Sequence, residues 1–135
     1  MIRSISIPFL AIGIVFVLIS SCATVPTEPL APGELRLLGL EMVGSAGLNL
    51  SVRVKVLIEA DGKPEIRRAC LTWSGDGLSC VKVSQVEYGS PESFSVWITP
   101  RHHGSLVLEC YAEYFRDGKA WPTNKVSTQV TVSPF

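Results

Sequence analysis

The chain has 135 residues, 47% of them hydrophobic and 18% charged, with 12 basic and 12 acidic side chains. That length fits one domain built around a single core. The even charge balance lacks the basic excess of a nucleic-acid binder, so no nucleic-acid partner is expected.

The first residues read as an address. Arg3 opens a short positive region. Residues 5–19 are apolar and uncharged, interrupted only by Ser6, Pro8 and Gly13. Small residues Ser20 and Ser21 then lead to Cys22. This is the plan of a helical secretory signal peptide over residues 1–21. A membrane-spanning helix needs ~20 apolar residues, and this run is shorter and has no basic stop-transfer cluster after it. The segment Leu18-Ile19-Ser20-Ser21-Cys22 resembles the bacterial lipobox, with isoleucine where leucine is commoner. The resemblance implies that the Cys22 thiol takes a diacylglycerol and the leader is cut before it. The new amino group then takes a further fatty acyl chain, such as palmitate. Each buried CH₂ contributes ~0.8 kcal/mol, so such a group anchors the chain to a membrane. Ala23 stands where an aspartate would commonly retain a lipoprotein at the inner membrane. The expected location is therefore the cell envelope, at the outer membrane if there are two. Cleavage removes only Arg3 among the charged residues and leaves a net charge of about −1.

Residues 22–33 carry Pro26, Pro29 and Pro32 at every third position. Proline fixes φ and favours extended backbone, so this stretch reads as a tether holding the domain off the lipid.

Residues 34–135 read as one all-β domain. A first strand around 35–43 alternates poorly. The next places Leu48, Leu50, Val52, Val54, Val56 and Ile58 on one face, with Ser51, Arg53, Lys55 and Glu59 on the other. That period of two is the pattern of an antiparallel sheet wetted on one side. Asp61-Gly62-Lys63-Pro64 ends it. A strand over about 65–73 turns Ala69, Leu71 and Trp73 inward and Arg68, Cys70 and Thr72 outward. After the turn Ser74-Gly75-Asp76-Gly77, Val81 and Val83 oppose Cys80 and Lys82. Tyr88-Gly89-Ser90-Pro91 breaks the chain. Phe94, Val96 and Ile98 then alternate with Ser95, Trp97 and Thr99. Residues 100–104 form a loop. The following strand sends Leu106, Leu108, Cys110, Ala112 and Tyr114 inward and Val107, Glu109, Tyr111 and Glu113 outward. Asp117-Gly118 marks a hairpin, and Val126, Thr128, Val130 and Val132 make a last strand.

About seven short strands suit an antiparallel β-sandwich, with a small barrel as the alternative. The order resembles immunoglobulin-like and fibronectin type III-like domains, with Trp73 on the third strand and the tyrosine-rich run Glu109-Cys110-Tyr111-Ala112-Glu113-Tyr114 on the penultimate one. No cysteine lies on the second strand, so the usual intersheet disulfide of antibody-type domains is missing.

An exported chain can hold disulfides. With Cys22 taken by lipid, Cys70, Cys80 and Cys110 remain. Positions 70 and 80 are equidistant from Gly75 across the turn and share the outward face, so they are expected to bridge. Cys70–Cys110 is the rival. Cys110 sits among apolar neighbours and reads as a buried free thiol.

No metal site or cofactor is expected: there is no Cys-x-x-Cys pair, and the adjacent His102 and His103 point apart in an extended chain. No catalytic residues are assigned, because no nucleophile elbow, phosphate loop or zinc-helix motif is present. Glu109 and Glu113 read as solvated, paired across strands with Arg67 or Arg68. Trp97, Tyr111 and Trp121 are the candidate binding surface, through exposed aromatic faces. Their bland reading is structural: Trp121 closing the sandwich edge, Trp97 packing under a loop.

The leading expectation is a noncatalytic membrane-anchored lipoprotein that binds or assembles with an unknown envelope protein or glycan. A carbohydrate- or peptidoglycan-binding module is the first alternative, and a small envelope hydrolase or redox protein the second. The anchor generates the first prediction. Cys22→Ser is expected to leave an unlipidated, full-length precursor on gels and to lose labelling by a clickable palmitate analogue. Unchanged processing and labelling would refute the lipid anchor.

Overall fold

The computed structural model describes residues 26–74 and 77–135. The expected signal peptide and Cys22 lie outside the described residues. Ten strands run in chain order: β1 Leu35–Val43, β2 Ala46–Gly47, β3 Val52–Ala60, β4 Ile66–Trp73, β5 Ser79–Val81, β6 Gln85–Glu87, β7 Ser93–Ile98, β8 Gly104–Arg116, β9 Lys119–Pro122 and β10 Val126–Ser133. They form two sheets, one in the order β1-β3-β7-β6, the other β2-β10-β8-β4-β5 with β9 paired to β8. No helix occurs among the described residues.

The two sheets face each other across one core, which makes the fold a β-sandwich. Val54, Val56, Phe94 and Val96 cover it from the first sheet; Ala69, Leu71, Leu108, Cys110 and Ala112 cover it from the second. The period of two read from β8 holds along its whole length: Leu106, Leu108, Cys110, Ala112 and Tyr114 are all buried. Trp73 is buried as expected, 8% exposed. The Asp117-Gly118 turn joins β8 to β9 with φ of 53° and 75°, the left-handed pair that a tight hairpin needs.

Several expectations need correction. The strands among the described residues number ten, not about seven, because β2, β6 and β9 are short edge pieces with too few residues to show a period. The sandwich is not purely antiparallel: β2 runs parallel to β10. Leu48 and Leu50 do not continue the inward face of β3. The chain turns at Asn49 (φ 60°), with Leu48 N–H donating to Ser133 C=O and Leu50 N–H to Gly47 C=O, and leaves Leu50 57% exposed. The returning strand read through Cys80–Val83 ends at Val81. β5 pairs with β4, whereas β6 pairs with β7 in the opposite sheet, so residues 82–84 cross between sheets.

The poor alternation of β1 has a physical cause. Leu35 and Leu37 face the core, and Arg36 between them is buried too. Its guanidinium Nη1 donates to the carbonyls of Pro26 (3.3 Å) and Glu28 (2.6 Å), and Nη2 lies 3.4 Å from Glu34 Oε2. The tether is thus laid against the domain from residue 26 onward. At this point it does not act as the spacer its prolines suggest. Gly33 N–H donates to Asp61 Oδ2 (2.8 Å) and completes the clasp. A second clasp joins the sheets. The Asn124 side chain accepts from Leu37 N–H and donates to Leu37 C=O, both at 2.9 Å, beside the register shift in β1.

Trp73 anchors the end of β4 in this core. Trp73→Ala is expected to destabilise the domain by ~3–5 kcal/mol, the usual range for truncating a buried indole. A loss of unfolding free energy in urea titration of under a quarter of that would contradict its role as a core residue.

Candidate functional site

The core is incomplete at one corner. β6 pairs with β7 only over Ser93–Ser95, through Gln85, Val86 and Glu87. Beyond Ser95 the edge of β7 has no partner strand among the described residues, while β5 is itself the outer strand of the other sheet. The chain cannot close this corner, because residues 82–84 have already crossed from one sheet to the other. A cleft of ≈ 460 Å³ results. Its floor is apolar, made by Leu71, Trp73, Val81 and Ile98; Trp97, Thr99 and Arg101 form the rim along β7. Trp97 is 56% exposed and stands directly opposite Arg53 on β3. Arg101 is the one charged side chain lining the cleft among the described residues.

The three aromatics flagged in the sequence are not brought together. Trp97 belongs to this cleft. Tyr111 lies half-buried on the outer face of the second sheet, opposite Cys70 on β4. Trp121 sits on β9 opposite Tyr114, 41% exposed, with the Arg116 guanidinium 4.9 Å from its ring centroid and its Nε1 donating to Arg116 C=O. It neither closes the sandwich edge completely nor faces Trp97. In the sequence Leu71, Trp73, Val81 and Ile98 carry only a core signal, and Leu71, Trp73 and Ile98 are indeed buried beneath the cleft. That a cleft lies over them is decided by where the neighbouring strands stop.

The cysteines follow the hairpin register. Cys70 and Cys80 are directly paired across β4 and β5 and form a disulfide. They share the outward face, but not its exposure: Cys70 is 1% exposed, shielded from solvent next to Tyr111, and Cys80 is open to solvent. Cys110 is free and buried, and desolvation pushes its thiol from 9.0 up to about 12. A thiol held neutral in the core is no nucleophile at ordinary pH. His102 and His103 are exposed in the loop after Pro100. No cluster of three or more potential metal ligands occurs among the described residues. Arg68 and Glu113 pair across β4 and β8, and the Glu113 hydrogen bond and charge raise the Arg68 guanidinium. This matches the cross-strand pairing expected for Glu113, whereas Glu109 stands opposite Thr72.

Cys110 makes a pH prediction with a definite sign. Its folded pKa is raised above the unfolded value, so its contribution to stability is intact below about pH 9 and is lost as pH rises toward about 12. Cys110→Val is expected to flatten the fall in urea midpoint over that window. In native protein at pH 8, a thiol reagent is expected to label neither Cys70, Cys80 nor Cys110. Rapid labelling of Cys110 without denaturant would contradict the buried assignment.

No family model matches the chain, and comparison with curated proteins finds no match. Among solved structures, the chain is similar to the crystal structure of the CARDB domain of the PF1109 protein from Pyrococcus furiosus, determined in complex with di-metal ions. The identity is 12%, 80% of this chain and 100% of that one are covered, and the TM-score is 0.45. A second similar structure is an engineered protein, with 9% identity, 73% and 20% coverage and a TM-score of 0.41. At these TM-scores neither likeness bears on ligand, metal or activity.

Proposed function

We propose that this chain is a noncatalytic envelope lipoprotein, anchored by lipid at Cys22, whose β-sandwich serves binding or assembly through the cleft beside Trp97. We read the sandwich as immunoglobulin-like, on its two facing sheets and its buried Trp73. The observation that carries the functional reading is the position of the cleft relative to the tether. Arg36, which holds residues 26 and 28, lies opposite Glu59 near the end of β3. The cleft residue Ile98 lies opposite Val52 at the start of the same strand. Those seven steps of strand separate clasp and cleft by ~23 Å. From Cys22 to Pro26 the chain reaches at most ~14 Å even when extended. A lipid at Cys22 would therefore keep the clasped end close to the membrane and turn the cleft toward the aqueous phase.

The alternatives draw less support. A glycan-stacking platform needs aromatics on one face, and Trp97, Tyr111 and Trp121 occupy three separate surfaces. A hydrolase or redox reading would draw on His102, His103 or a cysteine. Cys110 is sealed in the core, and the two histidines lie exposed in a loop, with no cluster of three or more potential metal ligands among the described residues.

Site-specific photocrosslinking in intact cells tests the proposal. A photoreactive residue in place of Thr99, on the cleft rim, is expected to give a discrete adduct. The same residue in place of Gln129, on the outer face of the second sheet, is expected to give none. Loss of the adduct in the Cys22→Ser background would tie binding to the anchored state. Equal adducts at both positions, or none at the rim, would overturn the proposal.

A further inference from the structure

We infer that the cleft takes an extended acidic segment of a second protein, which adds as a strand to the free edge of β7. This inference rests on the cleft being the binding site. Three backbone hydrogen bonds fix which way the edge points. Ile58 N–H donates to Glu92 C=O and Asn49 N–H to Pro100 C=O, both on the β3 side. Ser84 N–H donates to Ser95 C=O, on the opposite side. Backbone groups along an antiparallel strand alternate from one neighbour to the other. Even-numbered residues of this segment therefore face β3, and odd-numbered ones face away from it. By this alternation Trp97, the one residue of β7 past Ser95 that faces away from β3, would turn its N–H and C=O toward the cleft, and Thr99, just after the strand's end, would continue the pattern.

This arrangement suits a peptide backbone. A strand laid beside β7 would sit ~4.8 Å away, the ordinary spacing in a sheet. It would continue the order β1-β3-β7 where β6 does not reach. Its alternate side chains would enter the cleft over Val81 and over the already buried Leu71, Trp73 and Ile98, and removing those apolar side chains from water favours binding. The charge is set by Arg101, with Arg53 beside Trp97 on the next strand. A carboxylate on the incoming segment gives Arg101 a partner. Main-chain hydrogen bonds provide affinity in this mode of recognition, and the pockets for alternate side chains provide selectivity. A sugar would use the Trp97 ring but has no comparable use for the backbone N–H and C=O of Trp97 and Thr99.

The test uses the full chain solubilised from membranes in a mild detergent. The probe is the synthetic peptide acetyl-Glu-Val-Thr-Val-Thr-Val-amide, with two versions N-methylated on alternate residues. A strand presents only one set of its N–H groups to β7. One methylated version is expected to bind within about twofold of the parent and the other about tenfold more weakly or worse. The parent peptide is expected to slow amide exchange at Trp97 and Thr99 about tenfold, and Arg101→Glu to weaken it about fivefold. Equal binding by both methylated versions, or no protection at Trp97 and Thr99, would overturn strand addition. So would saturable binding of chitotetraose at Trp97 without peptide binding, or a self-associated chain whose Trp97 amide is already protected. Each of these would leave the rim photocrosslinks unchanged if the cleft is still the binding site. Absent crosslinks would count against the cleft itself.

Discussion

The structure depends on burying two apolar sheet faces against each other. Neither face is stable alone, since the first carries a layer of Val, Leu, Ile and Phe and the second one of Leu, Val, Ala, Trp and Tyr that water would solvate at a cost. β8 does most to satisfy this demand. It is the longest strand, and it pairs with β4 on one side and with β10 and then β9 on the other. Its five inward residues run the length of the core. Trp73, Cys110 and Tyr114 are buried because this interface closes over them, and the desolvated thiol follows from the same closure.

The interface also decides where the sandwich stays open. A chain that supplies edge strands to both sheets must cross between them. Here the crossing comes at residues 82–84, between β5 and β6. The two strands therefore share one side of the sandwich but cover different heights of it. The uncovered height is the cleft. Its apolar floor is ordinary core, and its rim is the end of β7 that β6 does not reach together with the residues that follow it. An open strand edge is usually blunted in natural sheets by charge, twist or cover. The basic Arg101 next to this edge acts as such a guard, and it also selects the charge of whatever pairs there.

Buried polar groups at the opposite end do a different job. Arg36 is buried only because residues 26 and 28 bring their carbonyls to its guanidinium, and Glu34 adds its carboxylate. Taking the charge out of water is tolerable with several acceptors in reach. Asn124 similarly satisfies both backbone groups of Leu37, where β1 departs from its regular register. Together these contacts fasten the edge strand β1 to the tether on one side and to the second sheet on the other. They fix the end of the domain from which the chain leaves toward Cys22.

The sequence by itself determined whatever depends on local spacing. A period of two places Val54, Val56, Leu108 and Cys110 inward, because successive strand side chains point to opposite faces. The equal distances of Cys70 and Cys80 from the turn place them in register, and Asp117-Gly118 reads as a hairpin from its tolerance of positive φ. Tertiary structure alone decided whatever depends on which strands become neighbours. Leu48 and Leu50 look continuous with β3, but hydrogen bonds to Ser133 and Gly47 turn the chain away first. Trp97 and Trp121 look alike in sequence, yet one borders an apolar cleft and the other stacks with Arg116. The cleft itself has no residue pattern of its own. It exists because β6 ends its pairing at Ser95, and the end of a long-range pairing leaves no period in the sequence.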